Sequence, residues 1–438
     1  MSKVTIIGAG LVGPITALYL ARLGYQVDVY ERRPDPRLVT PPAGRSVNIV
    51  ISERGWQVLR ELGLEHRVRS IALPLKQRMV HPIDELPSTT PYGRQGEEIW
   101  AAQRNELAKL LIHSASQHPN ITFHFGIRCV DIAVARHQLL LQDSEGESFT
   151  LPADKVIATD GAHSSVRRSL APLGLDVEAL ELPLGYKEIR LPKNSGLSPD
   201  SFHVWPRGPV FFGAFPNQDE TLTGAVYLPH SGPLSFETTQ TPQDIESLFQ
   251  RFFPDIYAKV PDLVEQYIKH PVCNLVTMRC DPWVIDGRIA LLGDAAHAVV
   301  PFLGQGMNAG FQDARCLHAM LVKHQHDWEN ALLAYQSEQK PNADALSEMS
   351  LEHYNTLAKP QNRSPLESQA RGSAERTLAK HWPDLAMPSY EAIAFTTRPY
   401  VSILRCSEKR EAKILQLINE QAKQGPYHLN AHGIALSA

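Results

Sequence analysis

The stretch from Val4 to Glu31, VTIIGAGLVGPITALYLARLGYQVDVYE, leaves little choice of local fold. A β-branched run (Val4, Thr5, Ile6, Ile7) meets Gly8, Gly10 and Gly13. An apolar helical segment follows to about Gly24, then Val27, Val29 and Tyr30 before Glu31. The spacing predicts a strand, a tight turn, a helix and a second strand. Gly8 permits the sharp exit from the strand, Gly10 lets a pyrophosphate approach the backbone, and Gly13 lets helix and sheet pack closely; the helix N-terminus faces the phosphates. Pro14 suits a first turn, whose N–H has no intrahelical partner to lose. Glu31 lies 23 residues after Gly8, where a carboxylate can accept from the ribose hydroxyls of an adenine dinucleotide. Residues 4–21 are uncharged and could be read as a leader or membrane anchor, but three glycines and Pro14 interrupt the run and no A-x-A-like cleavage site follows.

At 438 residues the chain can bury a large core and is expected to form two connected domains. Its net charge of −4 provides no electrostatic footprint for nucleic acid or an anionic membrane. Five cysteines (Cys129, Cys273, Cys280, Cys316, Cys406) are scattered without a CxxC pair, so neither a disulfide framework nor a zinc site is expected and a reducing cytoplasm fits. The 18 histidines show no HExxH-like spacing, and no metal is expected.

Along the chain, Ser52 to Leu64 reads as a capped amphipathic helix with Trp56, Leu59 and Leu62 on one face. Ala101 to Ser114 reads as a second helix with Leu107, Leu110 and Leu111 as its buried stripe. Ile121–Phe125 alternates like a strand, and 139–141 with 149–151 like a hairpin. Lys155–Gly161 is a buried strand ending at Asp160, followed by a helix from Ser164. Short strands at 202–205, 210–215 and 222–228, interrupted by a helix at 244–253, predict an antiparallel sheet inserted into the dinucleotide fold. Residues 288–294 form another buried strand ending in an acid, Asp294, then a loop into a helix through Leu321. The remainder is mostly helical, with a proline-rich break from Pro360 to Pro365. The expected architecture is α/β: a GxGxxG Rossmann-like domain in three pieces (1–75, 101–178, 281–358), a substrate-side segment (76–100), a β-sheet substrate domain (179–280) and a helical C-terminal region (359–438).

Three signals in order, GAGLVG at 8–13 with Glu31, ATDGAHSSVRR at 158–168 and LLGDAAHAVVPFLGQGMNAGFQDA at 291–314, resemble the single-component flavin aromatic hydroxylases of the p-hydroxybenzoate hydroxylase group. Within it the match is closest to the kynurenine 3-monooxygenases, through ERRPDPR at 31–37, GRSVNI at 44–49, RMVH at 78–81, PYGR at 91–94, GYKE at 185–188 and PFLGQGMNAGF at 301–311. The resemblance runs from about residue 3 to 360. It implies a noncovalent FAD at Gly8, Gly10, Leu11, Val12, Gly13, Glu31, Arg32, Arg33, Arg45, Asp160, Asp294, Pro301, Gly304, Gly306, Met307 and Asn308, with Arg104 on the pyrophosphate. It also implies NADPH or NADH as a transient co-substrate without its own Rossmann domain, and transfer of one atom of O2 to substrate from flavin C4a. Because the flavin carries that chemistry, no side-chain nucleophile is expected. Independently of the family, Asp294 ends a strand where it can accept from a ribityl or ribose hydroxyl. The glycines at 304 and 306 let N–H groups approach the pyrimidine edge of an isoalloxazine.

On the substrate side the resemblance gives Arg78 and Tyr92 a carboxylate to hold, a task that a bidentate guanidinium and a phenol suit. It also places Phe302 and Tyr390 near the substrate. Where the family usually reads E-N-Y-x-E-M, this chain has Glu352-His353-Tyr354-Asn355-Thr356-Leu357. His353, Thr356 and Leu357 thus replace an asparagine, a glutamate and a methionine, which changes the pocket's chemistry. Four readings stay open: kynurenine-like aromatic hydroxylation; an oxygenase of specialised metabolism, including Baeyer–Villiger insertion beside a carbonyl; a flavin dehydrogenase or oxidase that inserts no oxygen; and a non-enzymatic flavin- or nucleotide-binding regulator.

Overall fold

The computed structural model describes residues 2–39, 48–83, 85–358, 364–424, 428–429 and 435–436. The first expectation holds: strand Lys3–Ile7 leads through the glycine turn into helix Val12–Arg22 and returns as strand Gln26–Glu31. These strands lie at the centre of a six-stranded sheet in the order Val284–Ile285, Ile289–Leu291, Val156–Ala158, Lys3–Ile7, Gln26–Glu31, Ile121–Phe125. All neighbours are parallel except the outermost pair at Val284–Ile285. A parallel sheet is covered on both faces, so its strands carry near-continuous apolar runs. Val4, Ile6, Val29, Val156, Ile157, Ala158, Ala290 and Leu291 are accordingly buried in one core.

The second sheet has seven strands, ordered Cys273–Asp281, Asp176–Leu191, Leu222–Pro229, Val210–Pro216, Ser201–Arg207, Gln77–Val80, Ser88–Pro91. It is antiparallel apart from the Ser201–Arg207 and Gln77–Val80 pair. Its two faces have different tasks. Trp205, Phe212 and Val226 pack under helices Pro242–Phe252, Pro254–Lys259 and Leu263–Lys269. The alternating partners Phe202, Phe215, Phe211 and Tyr227 belong to the aromatic clusters that contain Tyr92, Tyr390, Phe302 and Tyr354. Period-two alternation therefore separates a face packed under helices from a face of aromatic rings.

Several elements differ from the sequence reading. Ala101–Gln103 is strand rather than helix: Ile99–Gln103 is the middle strand between Asn48–Ile51 and Ala72–Leu75, and helix begins at Arg104. Two flanking ladders override alanine's helical preference. Leu107 and Leu111 are buried as expected, and Leu110 is half-buried. Ser52 stands at the N-cap of Glu53–Glu61 but makes no capping bond; its hydroxyl donates to Gln305 Oε1 instead. Strand Asp176–Leu191, 16 residues long, crosses the expected 178/179 boundary. Its first six residues are exposed, so the alternation that marks a half-buried strand is missing there. Helices Pro254–Lys259 and Leu263–Lys269 are additional to the one helix expected in this region. Beyond the long helix Trp328–Ala358, helices Pro365–His381 and Tyr400–Gln424 pair through a bidentate Arg371–Glu411 contact at 2.7 and 2.6 Å.

Candidate active site

The three sequence motifs meet at the carboxyl ends of the parallel strands. Gly8 has φ +105°, a region open to glycine, and an added Cβ would lie 2.6 Å from the Thr159 carbonyl oxygen. At Gly13 the added atom would lie 2.1 Å from the Gly8 carbonyl oxygen. At Gly10 it would meet nothing within 4 Å. Two of the three glycines are thus required by the fold itself, while Gly10 borders open space at the helix start. Leu11 is the N-cap of the helix, and the first-turn N–H groups at Val12 and Gly13 lack intrahelical acceptors, which makes this end an anion seat. Val12 also carries the third motif: added Cβ atoms at Gly293 and Gly310 would lie 3.1 and 2.5 Å from its side chain. Thr159, from the middle motif, donates to the Gly8 carbonyl at 2.8 Å and so locks the turn.

Glu31 is buried, and its carboxylate accepts from the Ala9 N–H at 2.9 Å and from Arg33 through Nε at 2.8 Å and the backbone N–H at 3.0 Å. Burial would raise its pKa, but the Arg33 guanidinium and these N–H donors together hold it below the usual carboxylate range. Arg33 therefore folds back onto Glu31, and Arg32 is exposed. Arg45 lies outside the described residues. Asp160 Oδ2 accepts from the N–H groups of Ser165 at 2.8 Å and Val166 at 3.3 Å, while Oδ1 is buried without a partner. Arg104 is exposed at the first turn of its helix, and its charge reaches Tyr186: burial, Cys273 and Tyr227 push that phenol up, and Arg104 pulls against them.

Around the third motif, Asp294 opens the short helix Asp294–His297, and no side-chain cap bond forms there. Its Oδ1 lies 3.8 Å from where a Gly306 Cβ would be, so the acid and the glycine loop share one wall. Pro301 is exposed, Gly304 takes φ +64°, and helix Gly306–Lys323 begins immediately after. The first intrahelical bond there runs from Ala309 N–H to Gln305 O, which leaves the N–H groups of Gly306, Met307 and Asn308 without helical acceptors. The Asn308 side chain is occupied in structure: it donates to Val50 O and Gly304 O, each at 2.9 Å, and accepts from Ser52 N–H at 3.0 Å. Below the loop, His297 Nε2 meets Asp313 Oδ2 at 2.6 Å, and Asp313 also accepts from Gly293 N–H at 2.8 Å. Burial alone would lower the His297 pKa; the carboxylate outweighs it and raises it.

An elongated cradle with free N–H groups at two helix starts, an orphaned Asp160 oxygen and an open Gly10 fits a dinucleotide such as FAD. When bound, FAD supplies the redox and oxygen chemistry that no side chain provides.

The substrate-side residues converge from distant segments. Arg78 lies with its guanidinium 5.8 Å from the Tyr92 ring and 6.0 Å from the Tyr390 ring, and these rings stack at 5.9 Å and 27°. Arg78 Nε is buried and has no partner. Burial pushes the Tyr92 phenol up, and it pushes Tyr390 up to about 12; both are neutral donors at neutral pH. His353 is pushed down to about 4 by burial and by the Arg78 charge, so it is uncharged and Arg78 carries the positive charge. Phe302 stacks on Tyr354 at 5.3 Å and lies 6.1 Å from Phe211 and 6.3 Å from Tyr227, forming an aromatic wall. Thr356 does not join this group: it is exposed, and its hydroxyl donates to Glu352 O at 3.0 Å. The Leu357 side chain lies outside the described residues.

Thr159, Tyr186, Phe211, Tyr227 and Gln305 also border the candidate site and were not singled out from the sequence. Thr159 and Tyr186 stand inside quoted motifs, ATDG and GYKE. Gln305 likewise stands inside PFLGQGMNAGF, and only its bonds to Ser52 and Tyr400 needed the fold; Phe211 and Tyr227 could have been found from strand alternation.

Comparison with known proteins agrees with this geometry. The family described as FAD binding domain matches residues 1–350. The kynurenine 3-monooxygenase of Salinispora tropica is 38% identical over 423 residues, covering 94% of this chain and 92% of that protein. That of Flavobacterium johnsoniae is 36% identical over 408 residues, covering 92% and 90%. Among solved structures, 2-methyl-3-hydroxypyridine-5-carboxylic acid oxygenase shares the fold at a TM-score of 0.67 and 22% identity, covering 83% of this chain and 94% of that one. Pseudomonas aeruginosa PqsL in complex with 2-aminobenzoylacetate does so at 0.66 and 22%, covering 82% and 96%. With the three motifs assembled at the strand ends, the aromatic wall adjoining the glycine loop through Phe302, and relatives aligned over nearly the whole chain, the protein belongs to the kynurenine 3-monooxygenase family of FAD-dependent monooxygenases, which take their reducing equivalents from NAD(P)H.

Proposed function

We propose that this enzyme hydroxylates the ring of an aromatic amino acid of the kynurenine class, with Arg78, Tyr92 and Tyr390 seating the substrate carboxylate. The observation that carries the reading is the Arg78 guanidinium beside two stacked phenol rings, about equally far from each, with Nε buried and unpartnered. A buried donor of this kind is stabilised by a charged acceptor, and a carboxylate matches the guanidinium fork. His353, neutral beside Arg78, orients the same end without competing for its charge, and Phe302 with Tyr354, Phe211 and Tyr227 walls the aromatic ring. The kynurenine 3-monooxygenase relatives support this substrate class.

On the cofactor side, we assign the FAD pyrophosphate to the N–H groups from Gly10 to Gly13 and to Arg104. Glu31, with Arg32 and Arg33 beside it, takes the adenosine ribose, and Asp160 and Asp294 take hydroxyls along the dinucleotide. The segment from Pro301 to Asn308 takes the pyrimidine edge of the isoalloxazine, where N–H donors stabilise negative charge on the reduced ring. The balance is substrate, O2, NAD(P)H and a proton giving hydroxylated substrate, water and NAD(P)+. The protein's share is to bind, orient and exclude water. Five free cysteines support a reducing compartment such as the cytoplasm, and among the described residues no helix is long and apolar enough to cross a membrane.

The test is turnover of L-kynurenine with NAD(P)H under isotopically heavy O2. One heavy oxygen per product molecule, on the aromatic ring, is expected. Oxidation of NAD(P)H that is not stimulated by L-kynurenine, or oxygen inserted beside the ketone, overturns the assignment.

A further inference from the structure

The match to the FAD binding domain ends at residue 350, yet the glycine loop is held from beyond it. Gln305, between Gly304 and Gly306, is 1% exposed. Its Oε1 accepts from the Tyr400 hydroxyl at 2.9 Å and from the Ser52 hydroxyl at 3.3 Å. Its main-chain carbonyl accepts the first bond of helix Gly306–Lys323, from Ala309 N–H at 2.8 Å. Tyr400 opens the C-terminal helix Tyr400–Gln424 and is itself 4% exposed. The Arg54 guanidinium lies 3.9 Å over its ring and donates to the carbonyl of Arg398, two residues before it. A buried phenol O–H requires an acceptor, and a buried amide oxygen requires donors, so each satisfies the other. Asn308 ties the other end of the loop to Val50 and Ser52. The loop is therefore clamped between the start of helix Glu53–Glu61 and the start of the C-terminal helix.

We infer that Tyr400 is a positioning residue for FAD: through Gln305 it fixes the Gly304–Gly306 backbone, and the C-terminal helix thereby forms part of the cofactor site. This rests on the proposed placement of the isoalloxazine against the Pro301–Asn308 segment. Removing the Tyr400 hydroxyl leaves Gln305 Oε1 with the longer Ser52 bond alone, which loosens the loop at its N-cap; the hydroxyl's bond to Arg54 is lost too, while the ring stays packed under the Arg54 guanidinium.

The experiment titrates FAD into apo-protein, reading flavin fluorescence and the visible spectrum of the bound form, for wild type, Tyr400→Phe, Gln305→Ala, the double variant and Gly306→Ala. Tyr400→Phe is expected to raise the FAD dissociation constant about five- to tenfold, the size of one buried hydrogen bond, and to shift the bound-flavin band. In the Gln305→Ala background the same change is expected to have no further effect. A role confined to docking the C-terminal helix lowers the melting temperature of the apo-protein and leaves FAD affinity and spectrum unchanged; that result overturns the inference, as do effects of Tyr400→Phe and Gln305→Ala that multiply independently. Gly306→Ala separates the two layers, because its added Cβ lies 3.8 Å from its nearest neighbours and the fold accommodates it. If Gly306→Ala leaves FAD affinity intact, the loop assignment fails. If it weakens FAD and Tyr400→Phe does not, only the role of Tyr400 fails.

Discussion

The cofactor end and the substrate end proposed for the site are built from different materials. At the cofactor end the working parts are mostly backbone: N–H groups at two helix starts, with glycines that make room for close approach. At the substrate end they are side chains, Arg78, Tyr92, His353 and Tyr390, drawn from four separated segments and meeting under a sheet face of aromatic rings. Backbone recognition depends on a contiguous stretch with one geometry. Side-chain recognition depends on residues that only the complete fold brings together, and a single replacement there alters the chemistry without altering the fold.

The largest expected effect breaks the backbone side. Gly13→Ala places a methyl 2.1 Å from the Gly8 carbonyl oxygen, and overpacking of this kind costs about 3 kcal/mol, so apo-protein yield and melting temperature should fall sharply. Gly10→Ala sharpens the contrast, since nothing lies within 4 Å of its added atom: the melting temperature of the apo-protein should hold while FAD affinity drops. Equal thermal loss in both variants would show that the three glycines are not divided as argued.

On the side-chain end, Arg78→Met is expected to keep FAD content and fold while weakening substrate binding by about 2–3 kcal/mol, the scale of a buried charge-assisted contact. Its kinetic form is a raised KM for L-kynurenine, with the bound-flavin spectrum unchanged. A fall in kcat at constant KM would place Arg78 elsewhere.

Between the two ends, the buried His297–Asp313 pair lies under the third motif. The folded-state pKa of His297 is raised above its ordinary value, so its stabilisation is complete below about pH 6.5 and is lost as pH rises through the folded value. The difference in melting temperature between wild type and Asp313→Asn should therefore shrink as pH is raised; a difference that grows with pH would contradict the assigned sign.

The smallest effect belongs to Thr356→Glu. The family's glutamate position is exposed here and its hydroxyl bonds its own helix, so kinetics with L-kynurenine should change by less than about twofold, in line with other surface substitutions. A large gain in kcat/KM would mean that position 356 faces the substrate after all.

How much of this could be read beforehand follows the same division. The strand, turn, helix and strand at 3–31 were legible because periodicity, glycine spacing and the acidic end all lie within one window. The role of Thr159 was not, because its hydroxyl acts on Gly8 across 151 residues. Ala101–Gln103 looked helical until two neighbouring strands claimed it. His353 and Thr356 seemed equivalent departures from a pocket motif. Only the fold shows that one is half-buried within reach of the Arg78 charge and the other faces solvent.

The most direct test of the carboxylate seat compares L-kynurenine with its decarboxylated amine, each titrated into the oxidised holoenzyme and read through the perturbation of the flavin spectrum. The two share the aromatic ring, the ketone and the amino group, and differ in the carboxylate. The account predicts that removing it weakens binding by about a hundredfold, the loss expected when a charged partner leaves a half-buried guanidinium whose Nε is shielded from water, and that Arg78→Met abolishes the difference between the two ligands. Equal affinity of wild-type enzyme for both would contradict it.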